Sequence, residues 1–397
     1  MLSEQSAATV RATLPAVGAA IGEITERFYA GLFAAHPELL RDLFNRGNQA
    51  AGTQRQALAG SIAAFAVHLL DHPDTRPDAM LGRIAHKHAS LGITPEQYGV
   101  VHEHLFAAIA DVLGDAVTPE VAAAWTEVYW LMANALIAIE RRLYEESGGP
   151  RWRTWQVVER VPETADVVTL RLRPLDGDPL PVGDFRAGQY VSVRVELPDG
   201  ARQSRQYSLS AAPGSDVRQI SVKRIPGDAA TPAGEVSHHL HTRVRVGDRV
   251  QLSEPYGDLV LDDSDGAPLL LASAGIGVTP IVAMLAHLAD RGHGTPVTVV
   301  HADRSPADHA LRADHEAYAA KLPEASVHLW YEREAPEGAA TGLADLTDVP
   351  VRPGTRAYLC GPLPFMRAVR AQLLTKGVAP SDIHYEVFGP DLWLASA

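Results

Sequence analysis

His88 closes an apolar stripe, Met80, Ile84 and His88, at four-residue spacing. An imidazole in that place either packs as an interior histidine or ligates a metal or haem iron. A second group is Arg205-Gln206-Tyr207-Ser208, at the end of an extended run. Its guanidinium could take a phosphate in fork geometry, its ring could lie along a flat aromatic system, and its hydroxyl could meet a ring nitrogen. That combination suits a planar phosphorylated cofactor, though an ordinary edge strand ending in polar residues has the same residues. A third group is Gly275-Ile276-Gly277-Val278-Thr279-Pro280, between the apolar run 269–274 and a helix at 281–289. Its glycines let backbone amides approach a phosphate, with Thr279 expected to cap the helix and Pro280 to take its first position. A fourth, Cys360-Gly361-Pro362, follows the strand-like Ala357-Tyr358-Leu359, at the carboxyl end where α/β sheets bind ligands. Cys360 could equally be a small buried side chain.

The elements needed to hold these groups are legible in the periodicity. Residues 1–147 read as helices with no strand signal. Leu58, Ile62, Phe65 and Leu69 form one stripe. Thr94-Pro95-Glu96-Gln97 has the form of a capping box, and Thr118-Pro119-Glu120 opens a long helix ending at Ser147-Gly148-Gly149-Pro150. Residues 150–263 switch to short β runs separated by turns such as Pro198-Asp199-Gly200, which suggests a small antiparallel barrel. His238-His239-His241 falls in a short helix there and has no carboxylate or thiol neighbours for a metal. Residues 267–397 alternate strand and helix, as a parallel α/β sheet does. The expected architecture is therefore three domains, all-α, antiparallel β-barrel and α/β.

Composition narrows the function. A chain of 397 residues is too long for one core, and 46% hydrophobic with 21% charged residues is ordinary globular composition. A net charge of −13 without a basic tract argues against nucleic acid or an anionic membrane as partner. The single cysteine and the absence of a basic or apolar leader suit a cytoplasmic protein. The uncharged stretch 268–289 imitates a membrane span, but its central glycines read better as strand, turn and buried helix.

Phe28-Tyr29, Pro37-Glu38-Leu39, Asn48-Gln49, Gln54, Leu58 and the run from Ile84 through His88 to Tyr98 together resemble the globin domain of bacterial and yeast flavohaemoglobins. Downstream, Gly188-Gln189-Tyr190, Arg205 to Ser208 and Gly234-Glu235-Val236-Ser237 occur in the order seen in the ferredoxin-reductase family. The glycine turn, Cys-Gly-Pro and Tyr385-Glu386-Val387-Phe388-Gly389-Pro390 continue the match. The resemblance implies haem b on His88 with Leu58 beside it, and Tyr29 and Gln54 on the distal side. It implies Tyr98 and Glu140 on the proximal side, the carboxylate acting through the tyrosine, and Lys87 near the haem edge. Tyr190, Arg205, Gln206, Tyr207, Ser208, Val236 and Ser237 would contact FAD. Gly275 to Pro280 and Cys360 to Pro362 would hold NAD(P)H, while Glu386 would lie between flavin and haem. Phe388, with Val387, Gly389 and Pro390, would cover the flavin face.

The activity implied is NAD(P)H-dependent dioxygenation of NO to nitrate by a monomer. Alternatives are a flavohaem reductase of peroxides or ferric acceptors, or an oxygen-binding or sensing globin. Asp303-Arg304-Ser305, where adenosine ribose would be read, leaves NADH and NADPH both open.

Overall fold

The computed structural model describes residues 1–175, 185–227 and 232–389. Pro390 lies outside them. Seven helices come first: α1 (Glu4–Ala35), α2 (Pro37–Asp42), α3 (Arg46–Ala50), α4 (Thr53–Asp71), α5 (Asp78–Leu91), α6 (Pro95–Leu113) and α7 (Pro119–Ser147). Their boundaries follow local chemistry. The Thr94 amide donates to Gln97 Oε1 at 2.9 Å, closing the capping box of α6. Thr118 Oγ1 accepts from the Val121 amide at 3.3 Å to start α7, and Gly148 at φ 78° ends it. The core of the bundle is the set of inward stripes, among them Ile24, Phe28, Phe65, Leu105, Trp125 and Leu136. Helix α5 packs along α7.

The middle of the chain supplies β1 (Trp152–Pro162), β2 (Val167–Pro174), β3 (Tyr190–Glu196), β4 (Arg202–Ser208), β5 (Arg218–Lys223), α8 (Glu235–Thr242) and β6 (Arg249–Ser253). The strands form one antiparallel sheet in the order β4-β3-β6-β1-β2-β5. A bridge from Leu209, just past β4, to Ile220 on β5 curls the two edges towards each other. This barrel-like closure removes most exposed sheet edge.

The last part contains β7 (Leu269–Ala274), α9 (Val278–Asp290), β8 (Val297–Asp303), α10 (Arg312–Ala320), β9 (Ala325–Tyr331), β10 (Ala340–Thr341), β11 (Arg356–Cys360), α11 (Leu363–Thr375) and β12 (Ile383–Glu386). Its sheet is parallel, in the order β10-β9-β8-β7-β11-β12. Strand β7 is buried along its whole length, as a central strand covered on both faces must be. The uncharged stretch 268–289 is thus β7, a glycine turn and α9. Among the described residues one helix, α7, is apolar and long enough to cross a membrane by composition, and its Trp125, Val128, Leu136 and Leu143 pack into the bundle core.

One expectation fails here. Thr279 does not cap α9. A 3-10 turn, Gly275–Gly277, runs directly into a helix that begins at Val278, so Thr279 sits inside the first turn with Pro280 after it. The Thr279 hydroxyl donates back to the Ile276 carbonyl at 3.0 Å. The helix start has no side-chain cap, which leaves its first amides without a side-chain acceptor.

Gly188 lets the segment before β3 pack closely on the connection at Leu259 and on Met284 of α9. Its φ is 106°, and a Cβ there would fall 2.0 Å from the Leu259 carbonyl oxygen. Positive-φ strain and overpacking each cost about 1–3 kcal/mol. Gly188→Ala should therefore lower the midpoint of chemical denaturation clearly, and an unchanged midpoint would show that the close approach does not exist.

Candidate functional site

The packing of α5 on α7 brings His88 to Glu140. His88 Nδ1 lies 2.9 Å from Glu140 Oε1 and 2.9 Å from the Tyr98 hydroxyl, while that hydroxyl donates to the same carboxylate oxygen at 2.5 Å. The phenol has one hydrogen and spends it on Glu140, so Nδ1 carries a hydrogen and donates. The other ring nitrogen, Nε2, is then left with its lone pair, the form a metal ligand needs. Glu140 is only 2% exposed, so its charge requires these donors. Burial and the adjacent carboxylate push the Tyr98 phenol up, which keeps it protonated as a donor. The geometry differs from expectation in one respect. The carboxylate reaches the imidazole directly as well as through Tyr98.

His88 looks into a cavity of about 620 Å³, well within the range of roughly 300–1,000 Å³ usual for ligand sites. Its walls are largely apolar and include Phe28, Leu58, Ile62, Val101 and Leu136. Tyr29, on α1, also lines it, with its ring 5.6 Å from Phe33 and 5.9 Å from Phe44. Burial pushes the Tyr29 phenol up to about 12, while hydrogen bonding by Gln54 and Gln49 opposes the rise. Gln54, in the first turn of α4, is half-buried and lines the same cavity as Tyr29. Gln49 is an addition that the sequence reading did not single out as functional.

The same cavity runs on into the barrel, where Tyr190, Arg205, Gln206, Ser208, Glu386, Val387, Phe388 and Gly389 line it. Alternation along β4 puts Gln206 and Ser208 on one face and Arg205 and Tyr207 on the other. Tyr207 packs against the barrel core. These residues fit a phosphorylated flavin. Ser208 Oγ is buried with no partner, an orphaned atom that a ring nitrogen or carbonyl would satisfy. Burial lowers the Arg205 pKa, and its guanidinium donates to the neutral Gln203 Oε1 and Ser204 carbonyl, so a phosphate beside it would add an opposing charge. At α8, Gly234 precedes a helix start with no side-chain cap, so the amides at Val236 and Ser237 have no side-chain acceptor, as pyrophosphate binding requires. The Ser237 hydroxyl itself turns inward, donating to the Gly234 carbonyl and accepting from the Ile225 amide.

On the parallel sheet, the two remaining turns touch. A Cβ on Gly277 would lie 2.2 Å from the Cys360 carbonyl oxygen, so Gly275–Pro280 and Cys360–Pro362 form one floor at the carboxyl ends of β7 and β11. Cys360 is fully buried, which leaves the backbone and not the thiol to meet a ligand. At the end of β8, burial pushes the Asp303 carboxyl up to about 6, and Arg304 pairs with Asp308 and Asp166.

Of the face of α5 turned to the barrel, sequence reasoning named only Lys87. Arg83 lies 4.2 Å over the Tyr385 ring and 3.8 Å from Asp258. His86 Nδ1 accepts the Gly257 amide at 3.0 Å, Lys87 Nζ donates to the Gly389 carbonyl at 2.7 Å, and Ser90 Oγ accepts from Ser192 Oγ at 2.9 Å. The numbers 83, 86, 87 and 90 follow the helical repeat, a polar stripe beside the apolar one that could have been read as a docking face.

Residues 26–136 match the globin family model, and residues 271–371 match that of the oxidoreductase NAD-binding domain. The flavohaemoprotein of Bordetella parapertussis is 44% identical over 98% of this chain and 99% of its own length. The crystal structure of a Malassezia yamatoensis flavohaemoglobin with bound FAD and haem superposes with a TM-score of 0.89 at 39% identity, covering 98% of this chain and 100% of the other. The FAD/NAD-binding domain of a Vibrio cholerae nitric oxide dioxygenase covers 60% of this chain and 99% of its own, with a TM-score of 0.56 at 38% identity. Similarity of this extent, running from the helical bundle through both sheets, makes the chain a member of the flavohaemoprotein family, an oxidoreductase with a globin domain and a FAD/NAD reductase module.

Proposed function

We propose that this protein is an NAD(P)H-dependent nitric oxide dioxygenase, working as a cytoplasmic monomer, with haem b on His88 and FAD in the barrel cleft. The observation that carries this reading is the single cavity shared by His88 and Tyr29 at one end and by Arg205, Gln206 and Ser208 at the other. When bound, the nicotinamide supplies hydride, the flavin divides it into single electrons, and the haem iron uses them with dioxygen to convert NO to nitrate.

The chain's own residues set the conditions. Glu140 and Tyr98 hold the His88 ring in one tautomer and raise its donor strength toward iron. Tyr29, protonated throughout the physiological range, donates a hydrogen bond to a ligand on the distal side, where Gln54 also lines the cavity. The apolar walls around Leu58 exclude water. Arg205 and the start of α8 take the flavin phosphates, and Tyr190, Gln206 and Ser208 orient its ring system, with Tyr207 anchoring β4 in the barrel core. Lys87 and Glu386 stand at the junction between the two ends, and Phe388, half exposed, covers the flavin face that the nicotinamide must reach. The turns at Gly275–Pro280 and Cys360–Pro362 receive NAD(P)H. A polarising proximal carboxylate beside a distal phenol favours dioxygen chemistry over plain reduction of peroxides or ferric compounds.

Anaerobic addition of NADH or NADPH to purified protein should bleach the flavin bands and then shift the haem bands. Oxygen followed by NO should yield nitrate, and an oxygenated haem indifferent to NO would refute the assignment.

Tyr29→Phe removes a hydrogen bond of about 1–3 kcal/mol and should speed dioxygen release about ten- to hundredfold while leaving carbon monoxide association nearly unchanged. Glu140→Gln removes the proximal charge; turnover should fall about ten- to hundredfold and the haem midpoint potential should rise. A potential identical to that of the parent protein would rule out the proximal role.

A further inference from the structure

A buried chain of hydrogen bonds crosses from the barrel to the helix that carries His88. Gln206 Nε2 donates to Ser192 Oγ at 2.9 Å, Ser192 Oγ donates to Ser90 Oγ at 2.9 Å, and Ser90 Oγ donates to the Lys87 carbonyl at 2.8 Å. Ser192 is 0% exposed and Ser90 1% exposed. Each hydroxyl has a single hydrogen and spends it towards α5, so the chain has one sense and no slack. Gln206, which lines the flavin end of the cavity, is therefore tied through Ser192 to a hydroxyl two residues beyond His88.

We propose that Ser90 and Ser192 are positioning residues for electron transfer between flavin and haem. They fix strands β3 and β4 against α5, so that donor and acceptor keep one separation. Buried hydroxyls without partners are costly, and removal of either serine leaves the next member unsatisfied. The pair therefore acts as one unit. The inference rests on the function proposed above, in which NADH and two ferric haems give NAD⁺, a proton and two ferrous haems.

The test uses the full-length holoprotein as Ser90→Ala, Ser192→Ala and the double variant, with haem and flavin content checked by absorbance. Rapid mixing with NADH without oxygen separates flavin bleaching from haem reduction. Flavin bleaching should stay within about twofold of the parent in every variant, whereas haem reduction should slow about threefold or more in each single variant. The double variant should be no slower than the slower single one. In the resting oxidised protein, the flavin fluorescence lifetime and amide exchange at 87–91 should both increase.

Full cofactor content with parental haem reduction in both single variants overturns the inference and leaves the proposed function intact. Independent, multiplying losses also overturn it, since two unrelated packing residues would behave that way. Failure of the parent protein to reduce its haem with NADH overturns the function itself. Should Ser90→Ala fail to fold or to load haem, Ser192→Ala, on the barrel side, decides the matter with the same readouts.

Discussion

Helix α5 must satisfy two neighbours at once. Its fourteen residues present His88 to the cavity and to Glu140, while Arg83, His86, Lys87 and Ser90 engage the barrel and the segment 385–389. A helix has one rotation about its axis, so the docking contacts and the imidazole direction cannot be adjusted separately. A change in how the barrel sits on α5 would turn His88 relative to Glu140, and a change at Glu140 would be felt at the barrel. The two ends of the cavity are linked through this rigid element without need of any moving part.

The buried charge of Glu140 makes that rotation specific. A carboxylate removed from water is tolerated only where donors meet it, and here the Tyr98 hydroxyl and the His88 ring do so at 2.5 and 2.9 Å. Another placement of α5 would leave the carboxylate with the Tyr98 hydroxyl of α6 alone. Because the group is shielded, salt should screen the interaction little compared with surface pairs such as Arg27–Glu23, whose side chains are half exposed. The electrostatic partner that tunes the ring is therefore also the constraint that holds it.

What was legible in the sequence was local. The capping box at Thr94–Gln97, the C-terminal Gly148 and the buried run Leu269–Ala274 depend on neighbours within a few residues, and the structure has them where the periodicity put them. Thr279 was misread because a 3-10 turn extends the helix start by residues that carry no propensity signal of their own. The docking stripe escaped for a different reason. Its partners lie 171 and 302 residues away in sequence for His86 and Lys87, and no periodicity encodes a partner at that distance. The direct contact of Glu140 with His88 likewise depends on how closely α5 and α7 approach, which is a property of packing and not of spacing.

The order of the parallel sheet explains how the nicotinamide end joins this arrangement. Strand β12 pairs with β11 in a register that sets Glu386 beside Cys360. The residues that follow β12 therefore emerge at the carboxyl end of the sheet, next to the floor made by Gly277 and Cys360. There Lys87 binds the Gly389 carbonyl and Arg83 covers Tyr385, so the same short segment touches the sheet on one side and α5 on the other. Had β12 been paired in the interior of the sheet, this segment would have been covered by helices on both faces. Its position at the edge is what lets the last strand bring Glu386, Val387 and Phe388 into the wall of a cavity that begins in the helical bundle.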